Sequence, residues 1–306
     1  MLVGLAATVC PASRASTINV PADKPTIQSA INASSNGDTV VVAKGTYNEN
    51  IDFLGKAITV ISAAGPAATI IQGDGTTAVV VFHNGETRAS VINGFTIQGG
   101  GGELDPTDYG GGIDVVSATP TILNNIVTNN LCHAIAVNYG GALIQGNTVS
   151  NTSSSSNSYC IFNGSGIVLA FNNNPASVVI GNTITHNQQA IGYDGGGILM
   201  WAVENTVVES NVFSQNATTG QGGGITSYNT DAMIIAQNLF YENTAAYGAG
   251  AVSILAPSAS QGPFFGLIQN NTSWATQSAN LTSREASPLL RYISRAISRP
   301  TNLLTT

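Results

Sequence analysis

Two acidic and two aromatic residues lie in neighbouring segments of similar sequence. Trp201 ends the segment GGGILMW, and Tyr228 ends the segment GGGITSY. Asp194 precedes the first segment, and Asp231 follows the second. Aromatic rings bind the apolar faces of sugars, and two carboxylates can act as acid and as base or nucleophile in glycoside hydrolysis. These side chains therefore predict a sugar site, in which both aspartates are catalytic and both rings bind substrate.

A sequence repeat determines where these residues lie. Each copy contains an apolar residue, two spacers, Asn, one spacer, an apolar residue, two spacers and a second Asn. The clearest copies are ILNNIVTNN (122–130), VIGNTITHN (179–187), VESNVFSQN (208–216) and IAQNLFYEN (235–243). Glycine-rich segments followed by alternating apolar residues separate the copies. The pattern predicts three short strands per turn, because alternation indicates β-strands and no helix-length segment intervenes.

Repeats of this kind bury their inner faces only when they stack as coils. We expect an internal asparagine ladder at Asn182, Asn211 and Asn238, because stacked amides can hydrogen-bond from coil to coil. Glycine belongs at another corner, where φ is positive or two coils pass closely. The predicted fold class is therefore all-β: a single-stranded, right-handed parallel β-helix with three short parallel sheets.

The two ends of the chain differ from the repeats. Residues 1–15 are typical of the end of a signal peptide, with an apolar run before small residues; the alternative is an N-terminal tail that is disordered or adds a strand. Residues 16–280 form the predicted β-helix, with an N-terminal capping helix that starts at Pro25 and ends at Gly37. Residues 281–306 form either a C-terminal capping helix or an end outside the fold.

One stretch resembles a known superfamily. The sequence PTIQSAINASSNGDTVVVAKGTYNENIDFLGKAITVISA is similar to the N-terminal coils of pectin-lyase-like β-helix proteins. These include pectate lyases, polygalacturonases, pectin methylesterases and NosD-like repeat proteins. The resemblance covers residues 17–275 and implies that polysaccharide binds on the outer face of the first sheet. The NosD-like resemblance would imply copper, but the chain has no cluster of soft ligands.

Strands that follow the glycine segments would form this first sheet. If Ile113, Ile198 and Ile225 point inward, the next residue and the one two positions further point outward. Asp114 is then a third catalytic candidate, and Asn138 and Tyr193 join the substrate-binding candidates. For the two rings, the alternative is ordinary stacking between coils. The outward positions are Asp114, Val116, Ala136, Asn138, Val168, Ala170, Leu199, Trp201, Thr226, Tyr228, Ser253 and Leu255.

The residues that enzymes of this superfamily would use are missing. Pectate lyases use a basic residue beside a uronate, whereas no Lys or Arg occurs between Arg88 and Arg284. The Arg-x-Lys segment of polygalacturonases and the Arg near Trp of pectin methylesterases are absent too. Two functions stay open. One is a hydrolase or lyase-like enzyme acting on a neutral or weakly charged glycan, and the other is a non-catalytic surface or matrix protein that serves adhesion.

An acidic segment is a candidate metal site. Glu103, Asp105 and Asp108 lie close together among glycines, and oxygen-rich loops of this kind suit Ca²⁺. The alternative is a solvated loop, so Ca²⁺ is a candidate cofactor and no cofactor is required. Cys132 and Cys160 either pair in an oxidising compartment or are two buried thiols.

Composition restricts the partners. The net charge is −7 and charged residues make up 8% of the chain, so phosphate-rich nucleic acid is a poor partner. After the N-terminal segment, no apolar run reaches the roughly 18 residues that span a membrane. We therefore expect a monomer without membrane insertion, located outside the cell, on its surface or in the periplasm after bacterial-type export. Its expected partner is a polysaccharide.

Overall fold

The chain forms a parallel β-helix in which successive coils stack through parallel strands. The computed structural model describes residues 14–102, 111–153, 166–171, 175–189, 194–255, 266–278 and 297–298. Within these residues each turn passes from sheet 1 to sheet 2 and then to sheet 3. The predicted fold class is confirmed.

Five of the strands in sheet 1, the predicted first sheet, directly follow glycine segments of the sequence. Among the described residues this sheet has eight strands. They are β4 (Ile51–Asp52), β7 (Val80–Phe82), β10 (Ile113–Val116), β13 (Ile135–Asn138), β16 (Ile167–Ala170), β20 (Ile198–Trp201), β24 (Ile225–Tyr228) and β28 (Val252–Leu255).

Among the described residues, sheet 2 has ten strands, and it begins at the N-terminal end of the β-helix. They are β1 (Thr17–Val20), β2 (Thr39–Val42), β5 (Thr59–Ser62), β8 (Val91–Asn93), β11 (Thr121–Leu123), β14 (Leu143–Gln145), β17 (Val178–Ile180), β21 (Val207–Glu209), β25 (Met233–Ala236) and β29 (Gly266–Gln269).

Sheet 3 also has ten strands, each beginning shortly after a sheet 2 strand except the last. They are β3 (Gly45–Asn48), β6 (Thr69–Gln72), β9 (Thr96–Gln98), β12 (Ile126–Thr128), β15 (Thr148–Ser150), β18 (Thr183–Thr185), β22 (Val212–Ser214), β26 (Leu239–Tyr241), β30 (Asn271–Trp274) and β32 (Ile297–Ser298).

A fourth sheet of four strands was not predicted from the sequence. It lies between sheets 3 and 1 along the chain in the later coils. These strands consist mostly of polar and small residues, as in the segment ATTGQ of 217–221, and therefore lack the large apolar residues whose alternation marks a half-buried strand. Its strands are β19 (Gln188–Gln189), β23 (Ala217–Gln221), β27 (Thr244–Tyr247) and β31 (Gln277–Ser278).

The interior is a set of in-register apolar columns. In sheet 1 the first residues of six successive strands, from Ile113 to Val252, stack directly on one another, and all are buried. Phe213 and Phe240 stack in the same way inside sheet 3, with ring centroids 4.8 Å apart. The assumed inward orientation of Ile113, Ile198 and Ile225 is therefore correct.

A column of asparagines occupies the corner between sheets 2 and 3. Each backbone N–H donates to the Oδ1 of the asparagine in the next coil, over 2.8 to 2.9 Å. The side-chain Nδ2 atoms donate to the same oxygens and to carbonyls of the preceding coil. All members are buried. The column consists of Asn125, Asn147, Asn182, Asn211, Asn238 and Asn271.

A second column follows sheet 3. Asn187 donates its backbone N–H to Asn216 Oδ1, and Asn216 donates to Asn243 Oδ1. Thr152 occupies the same position one coil earlier and donates its N–H to Asn187 Oδ1. Asn130 accepts from the N–H of Gly100. The two columns satisfy backbone and side-chain polar groups that would otherwise be buried without partners.

The glycine triplets fit the corner before sheet 1 for two reasons. Gly195 and Gly222 have φ values of +80° and +66°, which residues with a Cβ rarely adopt. The third glycine of each triplet lies against the next coil. A Cβ on Gly197 would lie 2.4 Å from the Gly224 carbonyl oxygen, and one on Gly224 would lie 2.5 Å from that of Ala251.

A short helix, α1 (Ile27–Ala33), covers the N-terminal end of the core. Its buried residues Ile27, Ala30 and Ile31 lie in a helix that contacts β1, β2 and β4. The helix starts later than predicted, because Thr26 and Ser29 form a capping box there. It also ends before the predicted Gly37, because Ser34 is extended.

The predicted terminal segments lie almost entirely outside the described residues. This holds for the signal-peptide remnant up to residue 13 and for the C-terminal tail. The exception is Ile297–Ser298, which is a strand paired with β30. Among the described residues, no helix has the length and apolar character needed to cross a membrane.

Candidate functional site

The outer face of sheet 1 carries the predicted site residues in the predicted register. Asp114 pairs with Ala136, and Val168 pairs with Leu199, which pairs with Thr226. Two positions further along, Trp201 pairs with Tyr228. Strand pairing therefore places these side chains on one face, on consecutive coils about 4.8 Å apart.

Most of this face is buried, which corrects the expectation of an open surface. Asp114 is 1% exposed and Asn138 is 0% exposed. The apolar side chains of Val168, Ala170 and Leu199 are buried as well and form a cluster separate from the interior core. Asp114 and Asn138 therefore do not reach solvent, and neither is positioned to contact a ligand on the surface.

Aromatic rings mark the accessible end of the face. Trp201 and Tyr228 have ring centroids 5.0 Å apart with an interplanar angle of 39°. Both are partly exposed and pack against the Val168, Ala170 and Leu199 cluster. The sequence placed this pair on adjacent coils of one face, as observed, while its role in substrate binding stays a prediction.

A second ring pair was missed by the sequence analysis. Tyr139 and Phe171 stack with centroids 5.0 Å apart and an interplanar angle of 13°. Each follows the last residue of a sheet 1 strand, and their φ values are +56° and +53°. Strand alternation ends at such a residue, so a rule based on period two could not assign its direction. The sequence signal that could have revealed this pair is the aromatic residue that directly follows Asn138 and, in the next coil, Ala170.

The four rings occupy four successive coils at the carboxyl ends of β13, β16, β20 and β24. We call Tyr139, Phe171, Trp201 and Tyr228 the aromatic strip. Phe171 is tied to the Trp201 coil because its N–H donates to the Trp201 carbonyl, and Tyr139 is 56% exposed. The strip therefore extends over about 14 Å, three strand spacings.

Asp194 lies at the opposite end of the same face. Its Oδ1 accepts a hydrogen bond from the Gln221 N–H. The chain then folds over the face, because a Cβ on Gly195 would lie 2.9 Å from the Leu199 Cβ. Burial raises the pKa of the Asp194 carboxyl, and the hydrogen bond from Gln221 opposes part of that effect.

Asp194→Asn should raise the melting temperature at neutral pH. Because the folded-state pKa lies above the unfolded value, the stability associated with Asp194 is complete below about pH 4 and falls as the pH rises through the folded pKa. Asn removes the charge and keeps an oxygen for the Gln221 N–H. Melting curves of both proteins from acid to neutral pH measure this. The difference should open only as the pH rises; a constant difference would contradict it.

Asp231 is not close to Asp194. It lies beyond Tyr228, at the carboxyl end of β24, whereas Asp194 hydrogen-bonds to Gln221, which precedes that strand. The four-residue strand alone spans about 10 Å, and glycosidase carboxylates lie no more than about 9.5 Å apart. The structure therefore does not bring the predicted catalytic pair together. Asp114 is also remote, about three strand spacings or 14 Å from the coil of β20.

The carboxylate that the structure places beside Asp231 is Glu204. The two residues form a parallel β-bridge on adjacent coils, which sets their backbones about 4.8 Å apart. Both carboxylates are exposed. Asp231 lies three positions after Tyr228, and Glu204 lies three positions after Trp201. Val203, the neighbour of Glu204, belongs to the interior core, so Glu204 points outward. Sequence alone did not reveal this pair, because 27 positions separate the residues.

Several predicted residues lie outside the described part of the chain. Tyr193 is one, and the candidate calcium ligands Glu103, Asp105 and Asp108 are the others. Among the described residues, no three His, Cys, Asp or Glu side chains come together as a metal site. Cys132 is disulfide-bonded, and its predicted partner Cys160 lies outside the described residues.

The fold and the strip together define a parallel β-helix with an aromatic outer face. No protein-family model and no curated protein matches the chain. Several solved structures are similar to the chain in the path of the backbone. ORF18 of Geobacillus virus E2 has 14% identity and a TM-score of 0.36, over 84% of this chain and 60% of that one. The chain thus spans about 60% of the length of that protein.

Two further solved structures belong to enzymes. Pectin methylesterase from carrot has 12% identity and a TM-score of 0.35, over 94% of this chain and 88% of its own. A mannuronic acid-specific family 6 polysaccharide lyase from the human gut microbiota has 13% identity and a TM-score of 0.28, over 93% and 91%. The functional argument therefore rests on this chain's own residues.

Proposed function

We propose that the protein binds extracellular polysaccharide through the aromatic strip. The observation that carries this proposal is the strip itself: four rings on four successive coils, at the accessible end of an otherwise buried face. Sugar rings present apolar C–H surfaces that pack on aromatic faces. A linear glycan offers such surfaces at intervals similar to the spacing of the coils.

The disulfide of Cys132 supports a location outside the cytosol. Structural disulfides persist in oxidising compartments, and Cys132 is fully buried and disulfide-bonded. This agrees with the apolar start of the chain, which is typical of exported proteins. Export, in turn, would bring the strip into contact with polysaccharides.

Binding without cleavage accounts best for the arrangement. Asp194 and Asp231 lie at opposite ends of the sheet 1 strands, and Asp114 is buried. A non-catalytic surface or matrix protein needs the ring platform alone. Binding energy is then supplied by rings held rigid by the Val168, Ala170 and Leu199 cluster, which keeps the ordering cost of binding small.

Glycoside hydrolysis is the second candidate, and one observation favours it. Glu204 and Asp231 are paired on adjacent coils, which sets their backbones about 4.8 Å apart, and retaining glycosidases hold two carboxyl groups roughly 5–5.5 Å apart. The pair lies three residues beyond Trp201 and Tyr228. In that mechanism one carboxylic acid protonates the leaving oxygen and the other carboxylate attacks the sugar.

A polysaccharide panel tests both functions. The purified protein is assayed for retention in gels containing each glycan, and the same mixtures are assayed for new reducing ends and for unsaturated products. Retention without products supports the binding function. New reducing ends that disappear in Asp231→Asn, while retention persists, support hydrolysis. No retention and no products on any glycan would refute both.

A further inference from the structure

We infer that the ligand of the aromatic strip is an uncharged glycan, not a uronate or an amino sugar polymer. This inference rests on the proposed function and specifies its substrate class. It follows from the charges around the strip and from the burial of its surroundings.

Every charged side chain on the coils that carry the strip is acidic. Between residues 111 and 278 the sequence has six carboxylates and neither Lys nor Arg. Three of the six lie close to the Trp201 and Tyr228 rings along the chain. Asp194 precedes the strand of Trp201, and Glu204 and Asp231 follow the two rings. Carboxylates repel a uronate, whose recognition ordinarily uses Arg or Lys in charge-assisted hydrogen bonds.

The nearest cation along the sequence, Arg88, is bound to backbone carbonyls. The two terminal nitrogens of Arg88 donate to the carbonyls of Pro120 and Ala176, over 3.0 and 2.9 Å. Both carbonyls lie just before strands of sheet 2, at the corner that follows the carboxyl ends of the sheet 1 strands. Burial also lowers the pKa of this guanidinium. Arg88 thus holds three coils together, and both of its terminal nitrogens are already engaged by backbone carbonyls.

The surroundings of the strip also disfavour a cationic sugar. Phe171, Trp201 and Tyr228 pack on Val168, Ala170 and Leu199, which are at most 3% exposed. A charged ammonium placed on this apolar base would lose hydration, which is costly without close ion pairing. Of the nearby carboxylates, Asp194 accepts the Gln221 N–H and Asp231 accepts the Ala232 N–H. An ion pair with exposed Glu204 or Asp231 is screened by water and offsets little of that loss. Neutral hydroxyls, in contrast, can donate to exposed Glu204 and Asp231 at little cost.

Calorimetry with matched oligosaccharides tests the inference. The probes are oligosaccharides of equal length from xylan, polygalacturonate and chitosan, each at low and high salt, with Ca²⁺ and with a chelator. The neutral probe should bind at least about tenfold more tightly than either charged probe. Its affinity should change little with salt, since no ion pair is screened.

A charge reversal provides the matched control. Glu204→Arg places a cation beside Trp201 and should strengthen polygalacturonate binding about tenfold at low salt. Glu209→Arg makes the same change in net charge on sheet 2 and should leave polygalacturonate binding as weak as in the wild type. Equal gains in both variants would overturn the inference, because net charge and not the local field would then decide.

The outcomes separate the inference from the proposed function. Polygalacturonate binding as tight as neutral binding, with or without Ca²⁺, overturns the inference and leaves polysaccharide binding intact. Preferential, salt-sensitive binding of chitosan does the same. Failure of all three probes, together with a negative polysaccharide panel, refutes the proposed function itself.

Discussion

Asn211→Ala is expected to lower the free energy of unfolding by about 3 kcal/mol. The Asn211 side chain is 1% exposed. Its Oδ1 accepts from the backbone and side-chain N–H groups of Asn182, each over 2.9 Å. Its Nδ2 donates to the Val179 carbonyl and to Asn238 Oδ1, over 2.9 and 3.0 Å. Alanine leaves these groups without partners in a buried corner, where each unsatisfied group costs about 1–3 kcal/mol.

Chemical denaturation and thermal melting measure this loss. For a domain of this size, a loss of about 3 kcal/mol corresponds to a fall in Tm of about 5 °C. Asn32→Ala is the control, because Asn32 is exposed on α1 and its side-chain oxygen accepts one exposed hydrogen bond, from Gln28 Nε2. That variant should melt close to the wild type. Equal, small shifts for both substitutions would show that the column does not stabilise the fold.

The sequence predicted the coils well because each coil repeats the same local requirements. Asn211 and Asn238 recur at one corner because a buried amide needs an amide above and below it. Gly197 and Gly224 recur at another corner because a Cβ would collide with the next coil. Such constraints act at fixed sequence positions, and they can therefore be recognised without coordinates.

The site was predicted only in part, because its chemistry depends on contacts between coils and on surface accessibility. Alternation gave the direction of Trp201 and Tyr228, but it did not show that Asp114 and Asn138 are buried. Neither side-chain atom of the Asn138 amide has a hydrogen-bond partner among the described residues, which no sequence rule anticipates. Likewise, the pairing of Glu204 with Asp231 arises from the register of two coils.

Trp201→Ala is expected to weaken polysaccharide binding by about 30-fold or more, the loss of about 2 kcal/mol that is usual for a central aromatic contact. Trp201 lies in the middle of the strip, between Phe171 and Tyr228. Its removal leaves two separated ring surfaces in place of a continuous one. The ring is partly exposed and belongs to the outer cluster, not to the interior core, so the cost in stability should stay below the roughly 3–5 kcal/mol of a Trp→Ala change in a core.

Two further variants make the test specific. Trp201→Phe keeps an aromatic face and should recover most of the binding. Trp274→Ala removes the other tryptophan of the chain, which is 61% exposed on β30 of sheet 3, and it should bind like the wild type. Affinity electrophoresis and melting curves on all three variants decide the outcome. Either a large fall in Tm for Trp201→Ala or an equal loss of binding in Trp274→Ala would contradict the role of the strip as a ligand platform. Only a ligand platform requires the aromatic face at this one coil.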